Sequence, residues 1–366
     1  MTSTNPPRLS PVFVVGYLHS GTTLLQNILN QHSSIFASGG ETKFYEFQDI
    51  IEKAYPDLYD DRTLRHLIQF TVHAVLIGTR IDKIKPPPTL PDSDINEREL
   101  DKIFSIARQN RDHGSVLPLV LDYLTSRSGK SHWLEKTPNH IIHIDTILKY
   151  VPNARILEII RDPRAILASK KVRRAYVQSD HFPAENKDFF LLEKAYDPLW
   201  DTLSWKSAIQ AGRTATFKYS KQIFTIRYED LVARQFETIQ NVCEFLDLPF
   251  EPDMLDIKFI NTAYREEIGR KGITTLSVDR WKKEINGTEI LIAQIFARHQ
   301  MRKLSYPALP ISATGYLFLP VYFGMSICEF FQRLYRRYKM GGVLFLMSVI
   351  SNYWKRYLYL IKDPSK

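Results

Sequence analysis

The sequence predicts an α/β fold, a three-layer arrangement with a central parallel β-sheet flanked by helices, plus a helical insertion and a helical C-terminal extension. Three observations predict it. Short apolar runs rich in β-branched residues occur at Val12–Val15, Ile156–Ile160 and Ile223–Ile226, as expected of strands buried on both faces. Each run is followed by a turn and then by apolar residues at helical spacing. Three strand–loop–helix units in one chain imply a parallel sheet with crossover helices.

Taken in order, the first run ends at Gly16, and Leu24, Leu25, Ile28 and Leu29 then recur at helical spacing, the opening unit of a doubly wound sheet. Residues from about 50 to 130 have helical periodicity, many charges and weak strand signals. They are expected to form a helical insertion over the site that shapes an acceptor pocket. Ile156–Ile160 leads into Asp162-Pro163, an N-cap followed by a proline at the first helical position, and a helix through Ser169. Behind Ile223–Ile226, Phe236, Ile239, Val242 and Phe245 mark a helix that Leu248-Pro249 ends. Residues 11–303 are expected to form the main domain and 304–366 an extension.

A chain of 366 residues with 44% hydrophobic content is long enough to bury a sizeable core. Its net charge of +9 suits an anionic ligand or surface, although charge speaks to partners and not to fold. Cys243 and Cys328 lack metal-ligand or redox spacing, so no disulfide framework is implied and a reducing compartment is expected. Met1–Ser10 is polar and precedes no apolar leader, which argues for a cytoplasmic location. No nucleic-acid partner is expected.

Gly16-Tyr17-Leu18-His19-Ser20-Gly21-Thr22-Thr23 has the glycines and hydroxyl residue of a P-loop, but Thr22 stands where that motif places lysine. A nucleoside-triphosphate enzyme needs that lysine and magnesium for crowded phosphate charge. A single 5′-phosphate carrying a sulfate has less charge, so backbone N–H groups, a helix N-terminus and hydroxyls can suffice. Arg161 directly follows a strand, Ser169 lies eight positions on, and Arg173 four further along the same helix face. That set suits an isolated phosphate dianion, because arginine offers forked donors. Two separated phosphate sites on one sheet match a nucleotide phosphorylated at both its 3′ and 5′ positions and fit a kinase poorly.

With these motifs the chain resembles the sulfotransferase superfamily, in pattern the bacterial and tyrosylprotein-like branch. The resemblance is carried by Gly16–Leu25, by Trp133-Leu134-Glu135-Lys136-Thr137-Pro138, by Arg161-Asp162-Pro163-Arg164 with Ser169, and by Arg227-Tyr228-Glu229-Asp230-Leu231-Val232. It implies a P-loop-like fold and 3′-phosphoadenosine 5′-phosphosulfate as co-substrate, without a metal. It also implies a 5′-phosphosulfate loop at Ser20, Gly21, Thr22 and Thr23, and a 3′-phosphate site at Arg161, Ser169 and Arg173. Tyr228 would lie near the nucleotide. Arg270-Lys271-Gly272 would form a late loop closing over the 3′-phosphate, with an alternative alignment through Ser277. His19 stands where the family usually has lysine or arginine, and could help as a hydrogen-bond donor.

The implied reaction is an in-line displacement at sulfur, in which positioning and electrostatics do most of the catalysis. Lys136 is the candidate cation for the charge that grows on the leaving phosphate, and Glu41 the candidate base for the acceptor. His140 and His143 are rival bases, though their spacing also fits the outer face of an ordinary helix. The acceptor is expected to be a hydroxyl or amine on a carbohydrate, a lipid-linked molecule or a small molecule. Two other readings stay open: a P-loop kinase of nucleotides or small molecules, and a catalytically inactive nucleotide-binding protein at a membrane.

From Leu304 to Cys328 no charged residue appears, but Pro307, Pro310 and Pro320 interrupt the stretch, so a clean spanning helix is not expected. Beyond Glu329 the chain is basic and aromatic, as in Arg333–Lys339 and Tyr353–Tyr357, a composition suited to the headgroup–acyl boundary. Peripheral contact with the inner face of a membrane is therefore expected. The rival is that these stretches complete the core or a homodimer contact.

Overall fold

The protein is described here by a computed structural model covering residues 9–79, 95–179, 196–257 and 272–361. Five strands, β1 (Ser10–Gly16), β2 (Ile35–Ala37), β3 (His132–Lys136), β4 (Arg155–Ile160) and β5 (Ile223–Arg227), form one sheet in the order β2-β3-β1-β4-β5. All pairings are parallel; Val12 of β1 lies opposite Leu134 of β3, and Val14 opposite Leu157 of β4. Alternate strand residues enter two cores. Phe13, Val15, Ile156 and Ile160 pack in one, and Val12, Val14, Leu157 and Ile159 in the other. Both faces are thus buried, which is why the strands read as continuous apolar runs.

Leu25, Ile28 and Leu29 of the Thr22–Leu29 helix join the second core, whereas Trp205, Ala208 and Ile209 of the Pro198–Lys218 helix join the first. The connection after β1 thus places a helix on one face and the connection from β4 to β5 places one on the other, and the crevice at the carboxyl ends of β1 and β4 is where a doubly wound sheet binds ligands. The Pro163–Gln178 helix starts as expected, with Asp162 accepting a hydrogen bond from the Arg164 N–H at 2.8 Å.

The described residues of the 50–130 segment are helical as expected, in Gln48–Ala54, Asp61–Ile77, Glu97–Ala107 and His113–Arg127. β3 was not apparent as a strand because its end is polar. Glu135 is nevertheless fully buried, accepting hydrogen bonds from the Thr42 and Thr137 hydroxyls at 2.7 and 2.6 Å, which offsets the cost of burying the carboxylate.

Ala313–Leu317 and Leu319–Ile361 form the C-terminal extension. Pro320 does not interrupt it, because as the second residue of the longer helix it removes no helical hydrogen bond. That helix breaks at Gly341 and Gly342, the latter at φ +65°. The Phe330 and Tyr353 rings on either side of the break lie 6.3 Å apart. A straight helix would hold them about 35 Å apart, so the two arms fold back into an antiparallel hairpin.

Candidate active site

After β1, the chain turns back on itself through His19 (φ +65°) and Gly21 (φ +103°). The Ser20 N–H donates to the Tyr17 carbonyl at 3.1 Å, and the next helix starts at Thr22 without a side-chain cap. Its first N–H groups are thus left for a ligand. The Ser20 hydroxyl is buried without a hydrogen-bond partner.

The end of β4 supplies the other half. Arg161 donates through Nη1 to the His19 carbonyl at 3.0 Å and through Nη2 to the Ser277 carbonyl at 2.8 Å, while its Nε is buried without a partner. Its guanidinium lies 4.0 Å from the centroid of the Tyr228 ring, and the Tyr228 hydroxyl is 2.5 Å from Ser277 Oγ. Ser169 Oγ, two helical turns beyond Arg161, is 2.8 Å from His19 Nδ1. His19 thereby ties both the arginine and the serine to the loop.

Of the residues singled out from sequence, His19, Ser20, Gly21, Arg161, Ser169 and Tyr228 meet here, with Thr22 and Thr23 opening the adjoining helix. Arg173 does not join them; its guanidinium packs 5.5 Å from the Tyr176 ring. Arg270 and Lys271 lie outside the described residues. Gly272 (φ +80°) donates its N–H to the Ile257 carbonyl at 2.8 Å. Ser277 completes the group, and only the alternative alignment of the late loop pointed to it.

At the same edge of the sheet, the last residue of β3 carries a second pair. Lys136 Nζ is 2.9 Å from Glu41 Oε1, with the lysine side chain 6% exposed and the glutamate 27%. An ion pair of this kind holds the carboxylate ready to accept a hydrogen bond. His140 and His143 do not lie on an outer helix face. They sit inward on a 3₁₀ turn, Pro138–His143, both buried. His140 Nδ1 is 3.0 Å from Glu135 Oε2, and burial pushes the His143 pKa well down. Among the described residues, no group of three or more His, Cys, Asp or Glu is arranged to hold a metal ion.

Beside the loop lies a cavity of about 110 Å³, bounded by Tyr17, Asn139 and Lys170 of the α/β body and by Arg333, Asn352 and Arg356 of the hairpin. Among the described residues, none of the 50–130 insertion lines it. The Tyr17 hydroxyl donates to Asp201 Oδ1 at 3.1 Å, and Lys170 pairs with the same carboxylate. Burial, followed by the Asp201 charge, pushes the Tyr17 pKa well up, so it faces this cavity as a neutral hydroxyl.

A family model described as the sulfotransferase family matches residues 11–252. The chain is 24% identical over 290 residues to an uncharacterized protein of Aquifex aeolicus, covering 76% of this chain but 31% of that protein's length. It is 24% identical over 312 residues to a putative protein-tyrosine sulfotransferase of Caenorhabditis briggsae, covering 83% of this chain and 88% of the relative. Among solved structures, the sulfotransferase domain from the curacin biosynthetic pathway aligns with a TM-score of 0.47 at 17% identity, over 83% of this chain and all of that domain. A sulfotransferase from Mycobacterium avium aligns at 0.40 and 15% identity, over 82% and 77% of the two chains.

Proposed function

Because the chain belongs to the sulfotransferase family, we propose that it transfers a sulfuryl group from 3′-phosphoadenosine 5′-phosphosulfate to an acceptor hydroxyl or amine. One observation carries this reading. The glycine loop and the strand-end arginine are built into one cluster, and each brings a buried, unsatisfied donor to it: Ser20 Oγ and Arg161 Nε. Buried donors without partners are costly unless a ligand satisfies them, and phosphate oxygens would do so at both. The residues present therefore fit the nucleotide.

When bound, the donor supplies the sulfuryl group and a phosphate leaving group. The chain's own residues then have distinct tasks. Arg161, Ser169 and Ser277 hold the 3′-phosphate, and Tyr228, stacked on Arg161, supports the nucleotide. The Ser20 hydroxyl and the N–H groups of Thr22 and Thr23 hold the 5′ side. The Lys136 ammonium offsets the charge that grows on the leaving oxygen, and Glu41 accepts the acceptor's proton. The acceptor enters the cavity between Tyr17 and the hairpin, which Asn139 joins to the Lys136 turn.

A kinase is disfavoured by Thr22, whose buried side chain takes the place of the phosphate-binding lysine. A catalytically inactive protein is disfavoured by the intact Glu41–Lys136 pair. The test is incubation with the sulfate-labelled donor and a panel of hydroxyl and amine acceptors. Label in an acceptor, lost in Glu41→Gln, supports the proposal. Donor binding without transfer to any acceptor or slow hydrolysis supports the inactive reading instead.

A further inference from the structure

The C-terminal hairpin is amphipathic in the reverse of the usual sense. Its polar residues face the catalytic body. The Ser326 hydroxyl donates to Asp197 Oδ2 at 2.7 Å, Arg333 is buried 3.6 Å from the same carboxylate, Asn352 Nδ2 donates to the Glu46 carbonyl at 3.2 Å, and Arg356 donates to Asn139 Oδ1 at 2.7 Å. Phe345 and Val349 pack into the core, but many of the other apolar residues face outward. Met325, Phe331 and Tyr335 on the first arm, and Leu344, Met347 and Trp354 on the second, are each 54–64% exposed. A helix packed on a protein in water normally buries its apolar stripe and exposes its polar one. The outward face of this hairpin is far larger than the scattered single apolar residues of an ordinary surface.

The charge identifies what covers it. Between Leu304 and Ile361, Glu329 is the one acidic residue; of the basic ones, Arg333 and Arg356 turn inward to the body, while Arg336, Arg337 and Lys355 are partly exposed and Lys339 is exposed. A second copy of the chain on this face would bring two basic surfaces together, whereas an anionic lipid surface is attracted to them. Ala313–Lys339 is long and apolar enough to cross a membrane by length and composition. Yet it carries three arginines, and its inward face is hydrogen-bonded to the catalytic body.

We infer that the outer face of the hairpin docks flat on an anionic lipid bilayer, with its Tyr and Trp rings and basic side chains at the headgroup boundary. The cavity beside the phosphate loop lies directly beneath this hairpin, so docking brings the site to the membrane surface. The inference needs only the hairpin and stands whether or not sulfuryl transfer is demonstrated.

The test uses the full chain and sedimented vesicles of phosphatidylcholine with or without phosphatidylserine. Cys328 is exposed on the hairpin and Cys243 is buried, so an environment-sensitive fluorophore placed on Cys328 reports burial without any substitution. The expected result is binding to the phosphatidylserine vesicles, weakened by salt, with a blue shift of the probe. Met347→Glu/Trp354→Glu should lower partitioning by about tenfold or more, with an unchanged melting temperature. Three results would overturn the inference: no binding at low salt, equal binding to pure phosphatidylcholine, or a stable dimer that the same two substitutions dissociate. If the double variant melts early, the unsubstituted labelled protein decides, since a probe that does not shift contradicts docking by itself.

Discussion

Gly21 and Tyr228 are fitted to each other: a Cβ at Gly21 would lie 2.4 Å from Tyr228 Cδ2, and the backbone there is at φ +103°. The loop must therefore keep a glycine for two reasons, one conformational and one steric. Tyr228 cannot retreat freely, because its ring carries Arg161 and its hydroxyl meets Ser277. Gly21→Ala is expected to cost about 1–3 kcal/mol of stability and to weaken nucleotide binding by roughly tenfold or more through the displaced tyrosine. Thermal melts and calorimetric titration measure the two effects. Unchanged affinity would separate Tyr228 from the nucleotide site.

The Glu41–Lys136 pair predicts a division between binding and turnover. Glu41→Gln keeps the shape but removes the proton acceptor, and should reduce kcat by roughly a hundredfold or more while donor affinity stays near normal. Lys136→Met should also lower kcat. Because the two side chains touch, the double variant should lose less than the product of the single losses. Steady-state kinetics of the four forms make the comparison, and full activity in Glu41→Gln would move the base elsewhere.

Glu158, in the middle of β4, gives a pH-dependent prediction away from the active site. Burial pushes its carboxyl up to about 7 from an ordinary 4.5, partly opposed by the hydrogen bond from Thr225 at 2.8 Å. Between those values the folded protein holds a proton that the unfolded chain releases. Its contribution to stability is therefore full below the unfolded value, falls as pH rises through the window, and is lost above the folded value. Glu158→Gln should remove that slope and stabilise the protein above neutrality by on the order of 1–3 kcal/mol. Urea unfolding at acidic and alkaline pH reads it directly. An equal difference between the two proteins at both pH values would show that Glu158 does not titrate in this window.

Much of the fold was legible because the strands are buried on both faces and so appear as unbroken apolar runs. β3 escaped notice because Glu135 and Lys136 look like surface residues, and it is the contacts with Thr42, Thr137, His140 and Glu41 that explain their burial. β2 has three residues, too few for a pattern. In the site, Arg161 and Ser169 followed from spacing along one strand and helix. Arg173 shares that helical spacing but packs on Tyr176, since which part of a helix faces the loop is set by tertiary packing. The hairpin's composition was plain, but its inverted orientation was not, because it depends on partners such as Asp197 and Asn139 that are distant in sequence.

The central claim is that the cluster around Arg161 reads a 3′-phosphate on a nucleotide held by the glycine loop. Calorimetric titration with 3′,5′-bisphosphoadenosine and with adenosine 5′-monophosphate isolates that phosphate. A charge-assisted contact on the order of 1.5–3 kcal/mol predicts that the bisphosphate binds roughly 10- to 150-fold tighter, and that Arg161→Ala, still folded, abolishes most of the difference. Equal affinities for the two nucleotides, or a preference unaltered by Arg161→Ala, would contradict the account.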